Sequence, residues 1–185
     1  MSRGGPADPD RRKVVNWLWR VPVLAALGGG VWGAWRYYSV HFERVPASPD
    51  PEFEPREAAR IALLEDFAEP WAAVEFSFSG LPAIALRLPG PVPGGLETAG
   101  VSLAAYSRIC THQACLVELS LDTEAVAFAF NYRSSTPTLV CHCHLSVFEP
   151  LRGGEAVSGP ALLPLPRIQL GVEGEDIIAV GVERT

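Results

Sequence analysis

Two hydrophobic patterns divide the chain. From Val21 to about Val40 apolar residues run almost unbroken. Beyond residue 57 they come in short bursts, ended by Gly, Pro, Asn and Ser. Ala72–Ser79 (AAVEFSFS) alternates apolar and polar positions, the period of a half-buried strand. Leu81–Leu88, Leu103–Ser107, Ala125–Tyr132, Thr138–Val140, Ile168–Val172 and Ile177–Val182 read as further short strands. Regularly spaced strands with turn residues between them predict an all-β domain. Ala58–Phe67 fits either a short helix, because it is Ala-rich, or an opening strand. Pro93-Gly94-Gly95 and Gly153-Gly154 read as turns. There is no internal repeat and no phosphate-binding glycine motif.

The unbroken stretch follows a basic segment that includes Arg11, Arg12 and Lys13. That order is the layout of an export signal, and the adjacent arginines resemble a twin-arginine signal. About 20 apolar residues suffice to cross a bilayer. Arg20 and Arg36 can snorkel to the two interfaces. Trp17, Trp19, Trp32, Trp35, Tyr37 and Tyr38 suit aromatic belts, and His41 lies at the far boundary. Gly28-Gly29-Gly30 weakens helix propensity at the centre. No A-x-A-like cleavage site follows. The expected organisation is a basic segment over 1–16, an uncleaved transmembrane anchor over 17–40, a linker over 41–57 and a folded domain over 58–185. Pro46, Pro49, Pro51 and Pro55 make the linker semi-extended.

Charge sharpens this division. Residues 1–44 carry seven basic and three acidic side chains, whereas residues 45–185 carry eight and eighteen. An acidic body lacks the basic face that nucleic-acid binding needs. The basic end is expected on the cytoplasmic side of the membrane and the body on the outer side.

The candidate chemistry is concentrated. All four cysteines and three of the four histidines fall in Cys110-Thr111-His112-Gln113-Ala114-Cys115 and Cys141-His142-Cys143-His144-Leu145-Ser146. Thiolate and imidazole are the usual ligands for iron, zinc and copper. Seven candidate ligands exceed what one four-coordinate ion needs. A Rieske [2Fe–2S] centre, with two Cys on one iron and two His on the other, is one solution. A structural zinc site and a pair of plain disulfides are the others.

The boxes resemble the Rieske iron–sulfur proteins of quinol-oxidising respiratory complexes, whose signature is C-T-H-L-G-C followed by C-P-C-H-G-S. Cys110, Thr111, His112 and Cys115 match the first motif, and Cys141, Cys143, His144 and Ser146 the second. The resemblance implies an antiparallel β-sandwich with a two-loop cluster-binding subdomain, after one N-terminal transmembrane helix. It implies that Cys110 and Cys141 ligate one iron, that His112 and His144 ligate the other, and that Cys115 pairs with Cys143 in a disulfide. Ser146 then donates to a bridging sulfide. Ser158-Gly159-Pro160-Ala161 resembles the proline loop that covers the cluster. His142 is expected to be a solvated loop residue. Leu116–Tyr132, between the boxes, is longer than in common relatives, and an added hairpin is expected there.

Gln113 and Ala114 replace Leu-Gly, His142 replaces Pro, and Leu145 replaces Gly. Phe148 stands where high-potential relatives carry a Tyr that bonds a ligand sulfur, which predicts a lower potential. The implied role is transfer of an electron from quinol, menaquinol by this reading, at a membrane cytochrome b to a c-type cytochrome. His112 or His144 would accept the quinol proton. The expected place is the outer face of a bacterial cytoplasmic membrane, with a single pass and a cytoplasmic N-terminus. Two rivals are the small Rieske subunit of a molybdenum oxidase such as arsenite oxidase, and a zinc-stabilised exported binding domain.

Overall fold

The computed structural model describes residues 9–184. It divides into a helical unit that ends at Glu43 and a β-rich unit from Arg44 onward. In the first, α1 (Pro9–His41) runs without a break through Pro22 and the three central glycines. Within its segment Lys13–Ser39 an 18-residue stretch reaches a mean hydropathy of 1.3, enough in length and composition to cross a membrane. A Cβ at any of Gly28, Gly29 or Gly30 would meet nothing within 4 Å. Intra-helical bonding therefore carries the helix across residues of poor propensity. The side chains of Arg11, Arg12 and His41 lie outside the described residues.

In the second unit the strands are β1 (Phe53–Leu63), β2 (Ala73–Phe78), β3 (Leu81–Leu88), β4 (Leu96–Thr98), β5 (Val101–Ser107) and β6 (Glu118–Ser120). After the helix α2 (Thr123–Phe130) come β7 (Thr138–Cys141), β8 (Ser146–Glu149), β9 (Glu155–Ser158), β10 (Arg167–Glu173) and β11 (Asp176–Glu183). They form two antiparallel sheets. The larger has the order β1-β11-β10-β5-β3-β2, with β4 also paired to β5, and the smaller has the order β6-β7-β8-β9. β1 and β2, at the two ends of the large sheet, approach each other. One face of this curled sheet thus packs on itself.

Period-2 alternation explains the central strands. Ala83, Ala85, Leu103 and Ala105 point into the curl with Phe67, Phe78, Ile168 and Ile177. Ile84, Leu86, Ala104 and Tyr106 point the other way, into a core shared with the small sheet. β3 and β5 are therefore buried on both faces, which is why LPAIALRL reads as a nearly continuous apolar run. The first residue of β10 is Arg167, buried to 2% exposure. Its guanidinium donates to both carboxylate oxygens of Glu183, at 2.9 and 2.5 Å, and to the Pro93 carbonyl at 2.9 Å.

Three expectations need correction. For Ala58–Phe67 the helix reading fails and the opening-strand reading holds over 58–63, the end of β1, after which a 3-10 turn, Leu64–Phe67, follows. The linker is shorter than 41–57, because β1 pairs with β11 from Phe53. Ala125–Tyr132 is not a strand, and the added segment between the boxes is not a hairpin. It is β6 followed by α2. Asp122 caps α2 by accepting from the N–H groups of Glu124 and Ala125, and Asn131 ends it in the left-handed region at φ 50°. The repeat in AVAFAF fits period 2, but Val126 and Phe130, four apart, are the residues α2 buries, against Val140 and Val147. Alanine's helix preference and the two caps decide between the periods.

Candidate metal centre

Each box closes on itself. In the first, Ile109 bridges Leu116. Cys110 N–H donates to the Cys115 carbonyl at 2.8 Å, and Ala114 N–H to the Cys110 carbonyl at 2.9 Å. In the second, Cys141 pairs with Ser146 at the mouth of the β7–β8 hairpin. Both loops turn through the left-handed region, at Ala114 (φ 57°) and Leu145 (φ 61°). These are the two positions where the motif calls for glycine. The turn geometry is thus kept without the residue that adopts it freely, at a cost of roughly 1–2 kcal/mol per position.

The cysteines separate into two pairs. Cys115 and Cys143 form a disulfide that ties the loops together. Cys110 and Cys141 are free and buried. Burial pushes the Cys110 thiol upward, and the neighbouring Cys141 adds to the rise, against backbone N–H bonds at His112 and Gln113 that lower it. A metal is what would hold such thiols as thiolates. The sulfurs of Cys115, Cys141 and Cys143 also lie within 4.8 Å of one another. Two of these are bonded to each other and have no thiolate to offer.

The imidazoles of His112 and His144 lie edge to face, with ring centroids 4.8 Å apart and planes at 85°. His112 Nδ1 is buried and has no hydrogen-bond partner among the described residues. An orphaned buried nitrogen is costly unless something coordinates it. His144 is exposed. Two buried thiols and two converging imidazoles fit the ligand set of a mixed Cys/His [2Fe–2S] cluster. His142 turns elsewhere, edge-on to Phe130 at 5.3 Å and 3.8 Å from the Glu118 carboxylate.

The surroundings follow the sequence in part. Ser146 is fully buried, and its Oγ accepts from Ala161 N–H at 3.1 Å, leaving its own proton to donate elsewhere. Phe148 is fully buried in the same core as Cys110 and Cys141. Gly159 has φ +79°, and a Cβ there would fall 2.6 Å from Ser146 Cα, so the 158–161 loop lies directly on the second box.

Residues 96–169 match the Rieske [2Fe-2S] domain family. The chain carries a Rieske [2Fe-2S] domain. Over 80 residues it is 34% identical to the cytochrome bc1 complex Rieske iron–sulfur subunit of Streptomyces lividans, which covers 43% of this chain and 40% of that protein. It is 31% identical over 94 residues to iodate reductase subunit IdrB of Denitromonas iodatirespirans, across 51% of this chain and 45% of that one. The matched stretch is thus less than half the length of either relative. The soluble domain of Rieske protein II from Sulfolobus acidocaldarius shares the fold, with a TM-score of 0.56 at 23% identity over 68% of this chain and 78% of that one. The Rieske domain is an electron-transfer iron–sulfur module, and this decides against the zinc-stabilised binding domain.

Three further hydrogen bonds hold the loops, one from Thr111 inside the first box and two from Arg44 and Val45 far outside it, and sequence reading missed all three contacts. Thr111 Oγ1 donates to the Leu163 carbonyl at 2.7 Å. Arg44 and Val45 hydrogen-bond to the carbonyls of Gly159 and Leu162. All three partners are backbone carbonyls far away in sequence, so no motif marks them.

Proposed function

We propose that Cys110 and Cys141 hold one iron and His112 and His144 the other, in the electron-transfer subunit of a quinol-oxidising complex. The observation that carries this reading is the pair of buried free thiols beside two converging imidazoles, one with an orphaned Nδ1. When bound, the cluster supplies a one-electron acceptor. The chain's own residues do the rest. If His112 binds through its orphaned Nδ1 and His144 through one ring nitrogen, the remaining nitrogen of the exposed ring would be left to accept the quinol proton. The apolar side chains of Leu145 and Leu163, both about half exposed, flank the box and loop and offer the quinol ring a surface. The Ser146 hydroxyl, whose Oγ already accepts from Ala161 N–H, would have its proton to donate to the cluster. Phe148 supplies no hydroxyl to a ligand sulfur, which favours a low potential and a menaquinol donor. The partners are a membrane cytochrome b and a c-type cytochrome. α1 anchors the chain in a bacterial cytoplasmic membrane, with the basic end inside and Arg11–Arg12 directing export of the folded domain.

Metal and sulfide analysis of the detergent-solubilised full chain tests the ligand set. Two irons and two labile sulfides per chain are expected, with the rhombic EPR signal of a mixed Cys/His site after reduction. Cys110→Ser or Cys141→Ser should abolish both. Zinc alone would end this reading. A second assignment, to a terminal reductase or oxidase, is favoured by the match to the iodate reductase subunit. Copurification decides between them: haem b and haem c support the quinol complex, and a large catalytic subunit without haem b supports the alternative.

A further inference from the structure

The segment that leads into the β-rich unit touches the loop that covers the metal centre. Arg44 Nη2 donates to the Gly159 carbonyl at 2.7 Å. Val45 N–H donates to the Leu162 carbonyl at 2.8 Å. These two carbonyls flank Ala161, whose N–H donates to Ser146 Oγ. Ala161 and Ser146 are both fully buried. Further along, Ala47 packs 3.2 Å from where a Cβ would stand at Gly153. The Glu52 carbonyl accepts from Arg184 N–H at 2.9 Å, and β1 begins at the next residue. Residues 44–52 are therefore fastened at both ends to the domain they were expected only to tether.

We infer that Arg44 and Val45 form a strap that positions the 158–163 loop and, through Ala161 N–H, the Ser146 hydroxyl. The inference rests on the iron–sulfur reading above. Ser146 has one proton to donate. While Ala161 N–H occupies an Oγ lone pair, that proton is directed away from the loop and toward the second box. If the loop lifts, Oγ loses its donor and the hydroxyl is free to rotate. A donor aimed at the cluster favours its reduced form, so opening the strap lowers the potential. The strap also sets where the tether can flex. While the two grips hold, residues 44 and 45 cannot move apart from the loop. A single exposed guanidinium–carbonyl bond contributes little by itself. Here it sits beside a backbone bond to the same loop, so the two open together.

The full-length, cluster-loaded protein in detergent tests this. Amide exchange is measured by mass spectrometry on peptides spanning 158–163, and the midpoint potential by redox titration. In Arg44→Ala the loop amides should exchange about fivefold faster, the scale of one modest hydrogen bond. Arg44→Ala with Val45→Pro, which also removes the backbone donor, should give a tenfold or larger increase. The double variant should shift the reduction equilibrium about threefold toward the oxidised form, about 28 mV for a one-electron couple. Arg44→Lys keeps a donor and should restore most of the protection. Unchanged exchange in the double variant would overturn the strap. Faster exchange with an unchanged potential would overturn its link to Ser146. Metal analysis of the same samples reports separately on the parent reading: zinc in place of iron would sink that, while the exchange data would still report on the strap.

Discussion

The large sheet and the small sheet are built of the same kind of strand and held in different ways. In the large sheet, β3, β5, β10 and β11 are seven or eight residues long. β3 and β5 are buried on both faces, and the Arg167–Glu183 pair joins the first residue of β10 to the end of β11. In the small sheet the strands are three or four residues long. Its private core is little more than Val126, Phe130, Val140 and Val147. Short strands with a small core need a covalent or metal staple. The disulfide is one, and the cluster between Cys110, Cys141, His112 and His144 would be the other. The large sheet is a scaffold that stands by burial. The small one is shaped for chemistry and depends on cross-links.

The largest effect should come from breaking the scaffold. Arg167→Ala leaves the Glu183 carboxylate buried without its partner, a loss of about 3–5 kcal/mol. Denaturant unfolding of the whole domain should register it. If stability falls by less than 1 kcal/mol, water reaches Glu183 and the scaffold is looser than its burial implies. Next comes the staple. Replacing Cys115 and Cys143 with Ala removes a cross-link spanning 28 residues, worth about 3–4 kcal/mol in a loop-entropy account. The cost should fall on the small sheet. Iron retention should drop and the β-sheet circular dichroism of the large sheet should persist. Cooperative loss of both would show that the two sheets do not differ in this way.

A smaller change probes the shared core. Phe148→Tyr places a hydroxyl in the core that holds Cys110 and Cys141. One neutral hydrogen bond is worth about 1 kcal/mol, so the potential should rise by some tens of millivolts, at about 59 mV per tenfold change. An unchanged potential in a folded variant would mean that residue 148 packs away from the sulfurs. The smallest effect concerns the strained turn. Ala114→Gly relieves a left-handed residue but adds chain entropy to the unfolded state. The net gain should be about 0.5–1 kcal/mol. The melting temperature of the small sheet checks it, and a decrease would show that the Ala114 methyl group packs usefully.

Much of the scaffold was legible because burial leaves a period. Leu81–Leu88 is β3 to the residue, and Ile168–Val172 and Ile177–Val182 fall inside β10 and β11. β8 and β9 were not legible. SVFE and EAVS are four-residue strands with no room for a pattern, and their pairing is set by neighbours. α2 was misread because alanines at every second position also satisfy a helix, and only the caps and the partners of Val126 and Phe130 separate the two.

By itself, the sequence determined the chemistry. Four cysteines and three histidines in two boxes fix which elements can be bound, because ligand type is a property of the side chain. It also determined that one helix is apolar enough for a membrane. Tertiary structure makes the Cys115–Cys143 bond, a pairing that the residue types alone left open and only the resemblance of the boxes implied. Cys115–Cys143 and Cys110 beside Cys141 follow from the loops being brought together by a hairpin and by the shared core. It alone decided that Arg44 and Val45 reach the loop over the centre. Those bonds end on backbone carbonyls, which every residue carries, so their specificity lies in where the chain is placed and not in what it spells.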